Sequence, residues 1–407
     1  MVNWNEKFAG RTEHMKRSAI REILKLTQRP DIISFAGGLP APELFPVERV
    51  REASDVVLSE RGQEALQYST TEGMPELRDF LAQRMSNDTL QLSRDNIVIV
   101  NGGQQAIDMI GRVLLDDNDV IGVENPTYLG ALLAWAPYGI NYLSVPTDSD
   151  GLIIEHVEDV LKQNPKLMYL VPNFQNPQGV TLSKERRVAL VKLLEKYGTL
   201  VIEDNPYGEL RYSGESVPGI YEIDAKNLGI ATLDGHVVYA GTFSKLLAPG
   251  FRIGWVAGPE SIVDKIVQAK QSADLHVSTF AQMVAYEAAS GGFLDDHIAS
   301  LREVYKERRD IMLAAMEEHF PEEAQWAKPE GGLFLMVYLP DHIDATELLK
   351  EAIGYKVAFV PGGDFHVDGS GHNSLRLNFS NAQPEQIREG ISRLGGLLKK
   401  AVKKSHP

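Results

Sequence analysis

The sequence contains no cysteine in its 407 residues. Disulfides, thiolate metal sites and cysteine nucleophiles are therefore excluded. The ten histidines are scattered, without a spacing such as HExxH, and we expect no metal site. No run approaches the roughly 18 apolar residues of a membrane-spanning helix, and the N-terminus lacks the apolar core of a signal peptide. These absences favour a cytoplasmic protein with no membrane partner.

Positive charge is also scarce, since 41 lysines and arginines face 56 aspartates and glutamates, for a net charge of −15. A nucleic-acid partner needs a positive surface, so we expect none. The densest basic clusters are Arg308-Arg309 and residues 399–404, and the second ends a predicted helix, where cations suit the helix dipole. The length is sufficient for two globular domains, each with its own core.

Short apolar runs alternate with amphipathic helical stretches, such as 104–115 and 184–197, between about residues 96 and 257. Strands separated by helices predict an α/β fold, in which a mostly parallel sheet lies between helices. Ligands of such sheets bind at the carboxyl ends of the strands. The candidate strands are residues 96–100, 119–123, 167–171, 199–203, 236–240 and 252–257.

The pattern changes after Gly291-Gly292, because residues 296–320 predict one long helix. Three strand-like runs and a closing helix from about Pro384 follow, at 333–338, 357–360 and 374–379. This order is typical of a smaller α+β domain. We expect three parts: an N-terminal arm and helix that packs on the small domain (1–45), a large domain (46–293) and the small domain (294–407).

A lysine directly follows one of the predicted strands. The motif Gly-Thr-Phe-Ser-Lys ends at Lys245, and Arg252 lies seven residues later, after a Pro-Gly turn. A Ser-Lys pair alone is most often a surface turn. Here the lysine, the hydroxyls and the arginine together suit a covalently held, phosphorylated cofactor, because a guanidinium fork matches phosphate geometry. The candidate phosphate ligands are Thr242, Ser244 and Arg252.

A neighbouring strand ends at Asp204, in the motif Asp-Asn-Pro-Tyr. An isolated aspartate here would cap the following turn. Beside a phosphate site, a carboxylate can instead keep a pyridine nitrogen protonated, which makes the ring an electron sink. Pyridoxal phosphate is the cofactor that needs both this carboxylate and the lysine.

Further candidates lie near other strand ends. The turn Asn101-Gly-Gly-Gln104 could bind phosphate through backbone N–H groups, or could be a plain strand–helix connection. Tyr207 and Asn176 could reach the phenolic oxygen of the cofactor, and Tyr128 could stack on its ring. Arg376 is either a solvated strand residue or, if its face lines a cleft between the domains, a ligand of an α-carboxylate.

With these motifs, the chain resembles the fold-type-I, class I and II aminotransferases that use pyridoxal phosphate, over essentially its whole length. The resemblance implies that the mostly parallel sheet of the large domain has seven strands. The segments 18–27 and 33–46 (Ile-Ser-Phe-Ala-Gly-Gly-Leu-Pro-Ala-Pro-Glu-Leu-Phe-Pro) are most similar to the 2-aminoadipate/kynurenine aminotransferase subgroup. The resemblance implies transfer of an amino group from an L-amino acid to a 2-oxo acid such as 2-oxoglutarate. The implied donors are 2-aminoadipate, glutamate, and aromatic or branched-chain amino acids.

The resemblance also implies roles for individual residues. Lys245 would form the aldimine and move the proton, and Asp204 would be the pyridinium partner. Tyr207 and Asn176 would bind the phenolate oxygen, with Asn176 also near the substrate. The remaining implied contacts are Gly103 and Gln104 (backbone), Thr242, Ser244 and Arg252 for the phosphate, Tyr128 for the ring, Arg376 and Gly38 for the substrate α-carboxylate, and Tyr68 for the phosphate of a neighbouring subunit in a homodimer with shared sites.

Two positions depart from the family pattern: the usual Asn-Pro-Thr-Gly reads Asn176-Pro-Gln-Gly179, and Gly103 stands where a serine is common. Arg21 could pair with a side-chain carboxylate of the substrate or, equally, with Glu22 at the surface. A lyase reaction on the same cofactor would use the same residues. A ligand-sensing domain of a transcriptional regulator would need a DNA-binding module before it, and both the early arm and the acidic charge oppose that alternative.

Overall fold

The computed structural model describes residues 1–15 and 31–403. Fourteen strands lie in this part of the chain: β1 (Ile33–Ser34), β2 (Ile97–Val100), β3 (Val120–Asn125), β4 (Asn141–Asp148), β5 (Gly151–Leu152), β6 (Leu167–Leu170), β7 (Leu200–Asp204), β8 (Val237–Thr242), β9 (Gly254–Ala257), β10 (Gln325–Trp326), β11 (Phe334–Tyr338), β12 (Val357–Ala358), β13 (Val360–Pro361) and β14 (Ser374–Asn378).

The same residues contain twelve α-helices: α1 (Val47–Ala65), α2 (Pro75–Met85), α3 (Gly103–Leu114), α4 (Leu129–Trp135), α5 (Ile154–Leu161), α6 (Lys184–Tyr197), α7 (Ile220–Leu228), α8 (Glu260–Ala273), α9 (Thr279–Ala289), α10 (Phe293–His319), α11 (Ala345–Gly354) and α12 (Pro384–Lys403). None of these described helices is both long enough and apolar enough to cross a membrane.

The larger sheet has the strand order β2-β9-β8-β7-β6-β3-β4-β5. Neighbours from β8 to β4 run parallel, whereas β9 is antiparallel to both β8 and β2. The predicted α/β class with a mostly parallel sheet is thus confirmed. The expected seven strands are joined by one more at the edge, the two-residue β5, which pairs antiparallel with β4.

Both faces of this sheet are covered. Along β6, Leu167 and Tyr169 pack into one hydrophobic cluster, while Met168 and Leu170 pack into another. All four side chains are fully buried. Because successive side chains point to opposite faces of a strand, one cluster lies on each face. A strand buried on both faces reads as a continuous apolar run, which explains why the sequence pattern predicts it.

Besides the short β5, the sequence pattern missed strand β4 of this sheet. Only Val145 in its middle is fully buried, and most of its other residues are partly or fully exposed. A strand near the edge of the sheet therefore shows no apolar run. In the second half of the chain, the predicted strand 357–360 is interrupted at Phe359 and forms β12 and β13, which belong to different sheets.

The smaller sheet is antiparallel, with the order β10-β11-β14-β13. Helix α10 links its core to that of the larger sheet. Leu294 and Ile298 near the start of α10 pack in the large cluster, whereas Met312 and Met316 near its end pack in the small one. A helix shared by two cores holds the two sheets in one arrangement.

The chain before α1 joins the second half of the molecule. Strand β1 runs parallel to β12, and the Phe35 N–H donates to the Ala358 carbonyl (2.8 Å). Phe35 is fully buried in the core of the smaller sheet. Arg21 and the segment 18–27 lie outside the described residues, and the domain boundaries stay predictions.

A buried arginine on α6 fixes the chain that follows β6. The guanidinium of Arg187 donates to the carbonyls of Pro172 (2.9 Å) and Pro218 (2.9 Å) and to Oδ1 of Asn173 (2.6 Å). Its side chain is fully buried, and this burial lowers the pKa of Arg187 to about 10. These bonds hold the residues that lead from the sheet toward Asn176.

We predict that Arg187→Met destabilises the protein by about 3 kcal/mol, because it leaves several buried acceptors without a donor. The free energy of unfolding in urea measures the effect. Lys192→Met, an exposed position on the same helix, is the control and should change that free energy by less than about 0.5 kcal/mol. Equal effects of the two variants would contradict the anchoring role of Arg187.

Candidate active site

A cavity of about 290 Å³ opens at the carboxyl ends of the parallel strands. It lies where β7 and β8 end and where residues of the smaller sheet approach. Its lining brings together residues that are far apart in the sequence: Gly38, Gly103, Gln104, Ile107, Tyr128, Val171, Asn176, Asp204, Pro206, Tyr207, Thr242, Ser244, Lys245, Pro249, Arg252, Phe334 and Arg376.

Lys245 follows the end of β8 and reaches into this cavity. Its Nζ donates a hydrogen bond to the Gly38 carbonyl (2.7 Å). Burial, reinforced by the positive charges of Arg376 and Arg252, lowers the pKa of Lys245 to about 8. A much larger fraction of this amine is therefore neutral near physiological pH than for an exposed lysine, and a neutral amine is the nucleophilic form.

One end of the cavity is a cradle for an anion. The N–H groups of Gly103 and Gln104 open α3 and have no acceptor one turn earlier, so they point outward from the helix. Arg252 lies beside them, with Nη2 donating to the Asn101 carbonyl (3.1 Å). Gly102 has a φ of +77°, and a Cβ there would lie 2.6 Å from Arg252 Nη2. Only glycine lets the guanidinium approach the turn this closely.

The two hydroxyls of the predicted phosphate site differ in whether they can donate a hydrogen bond to a ligand. Thr242 Oγ1 donates to the Ile253 carbonyl (3.0 Å) and accepts from the Ser244 N–H (3.1 Å). Its single proton is thus engaged within the protein. Ser244 Oγ lies 2.9 Å from Thr242 Oγ1 and can turn toward an anion instead. Ser244 is the stronger candidate donor of the pair.

An ion pair that the sequence pattern did not reveal holds the cradle in place. Asp274 at the end of α8 accepts from Asn101 Nδ2 (2.5 Å) and Gln105 Nε2 (2.8 Å). The fully buried Lys270 donates to its other oxygen (2.8 Å). No motif signals these contacts, because Asp274 is about 170 residues from the turn that it supports.

Asp204 is the last residue of β7 and is 5% exposed. Burial raises the pKa of its carboxyl to about 7, although a hydrogen bond from Tyr169 (2.6 Å) opposes the increase. Among the described residues, no cation forms an ion pair with it. A cationic group in the cavity would therefore be strongly attracted to Asp204 and would keep it ionised.

Three polar side chains line the cavity between the carboxylate and the arginine of the smaller sheet. Asn176 and Tyr207 are both buried and line the cavity, and burial raises the pKa of Tyr207. The ring of Tyr207 packs edge-on against Phe334, at 6.0 Å between centroids. Tyr128 precedes α4 at the cavity wall. Hydroxyl and amide donors here could bind a phenolate oxygen.

Arg376 on β14 resolves the alternative that its sequence left open, because it is 2% exposed and faces the cavity. Its guanidinium lies over the Phe334 ring at 4.2 Å. Nη1 donates to Asn176 Oδ1 (2.7 Å) and Nη2 to the Ala36 carbonyl (2.8 Å), while Nε is buried and has no partner among the residues that the structure describes. Burial lowers the pKa of Arg376 to about 10, so it stays cationic near neutral pH.

The cavity therefore gathers most of the predicted site residues of this chain. Tyr68 is not in its lining, because it is 78% exposed and contacts His276 edge-on. Arg21 lies outside the described residues. The sequence motifs did not indicate the apolar residues of the cavity lining. Helical spacing could have indicated Ile107, one turn after Gly103 and Gln104; no comparable signal exists for Val171, Pro206, Pro249 and Phe334.

Across the described ranges, no three histidine, aspartate or glutamate side chains lie together in a way that could hold a metal ion. The polar groups around the cavity instead suit an organic ligand with an anionic end, a cationic ring atom and an electrophilic carbon near an amine.

Comparisons with known proteins agree with this chemistry. Residues 30–394 match the family Aminotransferase class I and II. The aromatic-amino-acid aminotransferase 1 of Thermococcus litoralis is 44% identical over 99% of this chain and 96% of its own length. The 2-aminoadipate transaminase of Thermus thermophilus is 41% identical over 98% of each chain. This chain belongs to the class I and II aminotransferases and is a pyridoxal-phosphate-dependent enzyme.

Solved structures show the same fold. The α-aminoadipate aminotransferase LysN of Thermus thermophilus, crystallised with N-(5'-phosphopyridoxyl)-L-leucine, superposes with a TM-score of 0.92 at 38% identity. The alignment covers 99% of this chain and 100% of that one. The predicted family and fold type are thus confirmed.

The residues present fit pyridoxal phosphate. Its phosphate would suit the N–H groups and guanidinium at the α3 end, and its ring nitrogen would suit the buried, cation-free carboxylate of Asp204. The amine of Lys245 faces the same space. The unpartnered Nε of Arg376 leaves one buried donor for a further anion, such as a substrate carboxylate.

We predict that Gly103→Ser tightens pyridoxal phosphate binding about tenfold, because a hydrogen bond to a charged group contributes about 1.5 kcal/mol. A Cβ at Gly103 meets no atom closer than Thr242 at 3.9 Å, so the hydroxyl fits. The dissociation constant, measured by titrating apoenzyme with the cofactor, tests this.

Gly102→Ser is the matched control for Gly103→Ser. Its positive φ and the close guanidinium make any side chain strained, so cofactor affinity should fall at least about tenfold. Weaker cofactor binding by Gly103→Ser would contradict the assignment of this turn to the phosphate.

Proposed function

We propose that this enzyme moves the amino group of an L-amino acid to a 2-oxo acid such as 2-oxoglutarate, with Lys245 as the residue that binds the cofactor covalently. The observation that carries this proposal is the convergence on one cavity of a lysine of lowered pKa, a buried arginine and a carboxylate that no cation of the described residues pairs with. Each group alone has a structural explanation. Together they complement an amino acid held beside pyridoxal phosphate.

When bound, the cofactor withdraws electrons from the α-carbon of the amino acid. Asp204 would support this by pairing its carboxylate with the ring nitrogen, which would keep that nitrogen protonated. Tyr207 and Asn176 would bind the phenolate oxygen of the ring through hydrogen bonds. The side chains of the protein would thus orient the cofactor and stabilise its charges, while the cofactor itself is the electrophile.

Lys245 Nζ is the group that moves the substrate proton. Once the amino acid has displaced it, the amine remains tethered within reach of the α-carbon and needs no diffusion. Its lowered pKa favours the neutral form, which can accept the α-proton near pH 8. The neighbouring Gly38 carbonyl, which accepts from Nζ in this structure, can keep the amine oriented.

Arg376 would bind the α-carboxylate of both substrates. Stacking over Phe334 and the hydrogen bond to Asn176 hold its guanidinium plane in one orientation. A planar fork pairs with a carboxylate through parallel hydrogen bonds. Desolvation strengthens that attraction, so this pair would fix the amino acid relative to Lys245.

The donor range is proposed from the names of the relatives. One relative is an aromatic-amino-acid aminotransferase and another a 2-aminoadipate transaminase. We therefore propose both aromatic and dicarboxylic donors for this enzyme, with glutamate and branched-chain amino acids as further candidates. No observation favours a lyase reaction over amino transfer.

We also propose a homodimer whose active sites are shared. The support is the position of Tyr68, which is exposed and lies outside the cavity of its own chain. Large exposed apolar side chains lie close to it in sequence or in space, namely Leu66 and Leu275. A second subunit would cover them and would let Tyr68 reach the neighbouring phosphate site.

We predict that Lys245→Ala loses turnover by a factor of roughly 10⁴ or more, because both covalent binding and proton transfer depend on Nζ. Turnover is measured as the 2-oxo acid formed from the donor with 2-oxoglutarate as acceptor. Borohydride reduction of the wild type should place the pyridoxyl label on the peptide that contains Lys245.

Lys192→Ala provides the comparison for Lys245→Ala, since Lys192 is exposed on α6 and lies outside the cavity. This variant should keep its activity and should retain the pyridoxyl label on Lys245. Wild-type enzyme should form one glutamate for each 2-oxo acid released. Release of ammonia without glutamate would indicate a lyase and overturn amino transfer, while a label on another lysine would overturn the site.

We predict that Arg21→Ala lowers kcat/KM for 2-aminoadipate and glutamate about tenfold or more and changes the value for phenylalanine less than twofold. The reason is that a side-chain carboxylate loses its partner, whereas an aromatic ring does not. Arg11→Ala, another arginine of the N-terminal region, serves as the control. Equal losses on both donor classes would remove Arg21 from substrate recognition.

A further inference from the structure

Tyr169 is a buried hydroxyl next to the cavity that the reaction does not use directly. It lies on β6, opposite Ile202 of the parallel neighbour β7, two residues before Asp204. Its side chain is fully buried, and its Oη donates to Asp204 Oδ2 at 2.6 Å. This is a short, charge-assisted geometry for an O–H donor and a carboxylate.

The ring of Tyr169 is held rigidly. Trp135 at the end of α4 packs edge-on against it, at 5.4 Å between centroids and 87° between planes. The Trp135 indole in turn donates to the Ile107 carbonyl (3.1 Å), in the same helix that begins with the anion cradle. The hydroxyl therefore cannot turn away from Asp204 without displacing a buried tryptophan.

Few other groups stabilise the ionised carboxylate of Asp204. Within the described chain, Tyr169 is the side chain that hydrogen-bonds to it, and no lysine or arginine pairs with it. The titratable groups that surround this pair are acidic or phenolic, and none supplies a positive charge: Glu124, Tyr128, Tyr207 and Tyr239. A buried carboxylate with one donor depends strongly on that donor.

We propose that Tyr169 is a positioning residue for the cofactor: by holding Oδ2 of Asp204, it turns Oδ1 toward the ring nitrogen and stabilises the carboxylate as an anion. This inference rests on the proposed role of Asp204. Without the hydroxyl, the proton between Asp204 and the ring nitrogen would shift toward the carboxylate. The ring would then be a weaker electron sink.

The test compares four variants: Tyr169→Phe, Asp204→Asn, Tyr142→Phe and the double variant of Tyr169→Phe with Asp204→Asn. Tyr169→Phe removes one oxygen and keeps the contact with Trp135. Tyr142→Phe is the matched control, because it removes a buried hydroxyl without a partner from β4 of the same sheet. Thermal unfolding is recorded for each variant.

The decisive readout is the 15N chemical shift of labelled pyridoxal phosphate bound to each protein. In Tyr169→Phe we expect this shift to move toward the value of a neutral pyridine nitrogen, and cofactor affinity to fall about fivefold. We also expect kcat to fall about tenfold while KM changes less than twofold. Tyr142→Phe should match the wild type in each measurement. A wild-type nitrogen shift in Tyr169→Phe overturns the inference.

The remaining variants separate failure of this inference from failure of the proposed function. If Asp204→Asn leaves the nitrogen shift unchanged, Asp204 is not the partner of the ring nitrogen. This result would overturn the role of Asp204 in the proposed function and, with it, the positioning role of Tyr169. If Asp204→Asn moves it and Tyr169→Phe does not, only the role of Tyr169 falls.

The double variant has no buried carboxylate to leave without a donor, so it can be studied even if Tyr169→Phe proves unstable. We expect its kcat to lie within twofold of Asp204→Asn alone, because Tyr169 acts through Asp204. A further tenfold loss would show that Tyr169 acts through packing and would overturn the positioning role.

Discussion

The active site depends on charges that are buried before their partners arrive. Asp204 has no cation beside it among the described residues. Burial, reinforced by the nearby charges of Arg376 and Arg252, lowers the pKa of Lys245 to about 8. Burying unpaired charge is costly, and a ligand of complementary charge can compensate for that cost on binding. The cavity is therefore adapted to a molecule with a cationic ring atom and anionic groups on either side.

The two sheets keep these charges in position. The carboxyl ends of β7 and β8 are adjacent because the strands are parallel neighbours, so Asp204 and Lys245 meet at one edge. Arg376 comes from the smaller sheet, and helix α10 packs in both cores. A shift of one sheet against the other would separate the arginine from the lysine. The fold and the site are thus stabilised by the same contacts.

Much of the fold could be predicted because buried parallel strands read as apolar runs and amphipathic helices show helical spacing. Helix α6 was predicted with its observed limits, whereas β4 was missed because it is half exposed. The site was predictable where chemistry sits in short motifs, as at Lys245 and Asp204. Asp274 and Tyr169 were not, since they act by contacting residues about 170 and 35 positions away.

The sequence by itself determined the cofactor chemistry, because a lysine, two hydroxyls and an arginine at set distances after a strand have few other uses together. It also determined the family, through motifs that extend along the whole chain. Only the tertiary structure decided that Arg376 faces the cavity rather than solvent. It also decided that the Thr242 hydroxyl donates to the Ile253 carbonyl and that Tyr169 donates to Asp204. These outcomes depend on which faces of distant elements pack together, and residue spacing along one chain does not specify that packing.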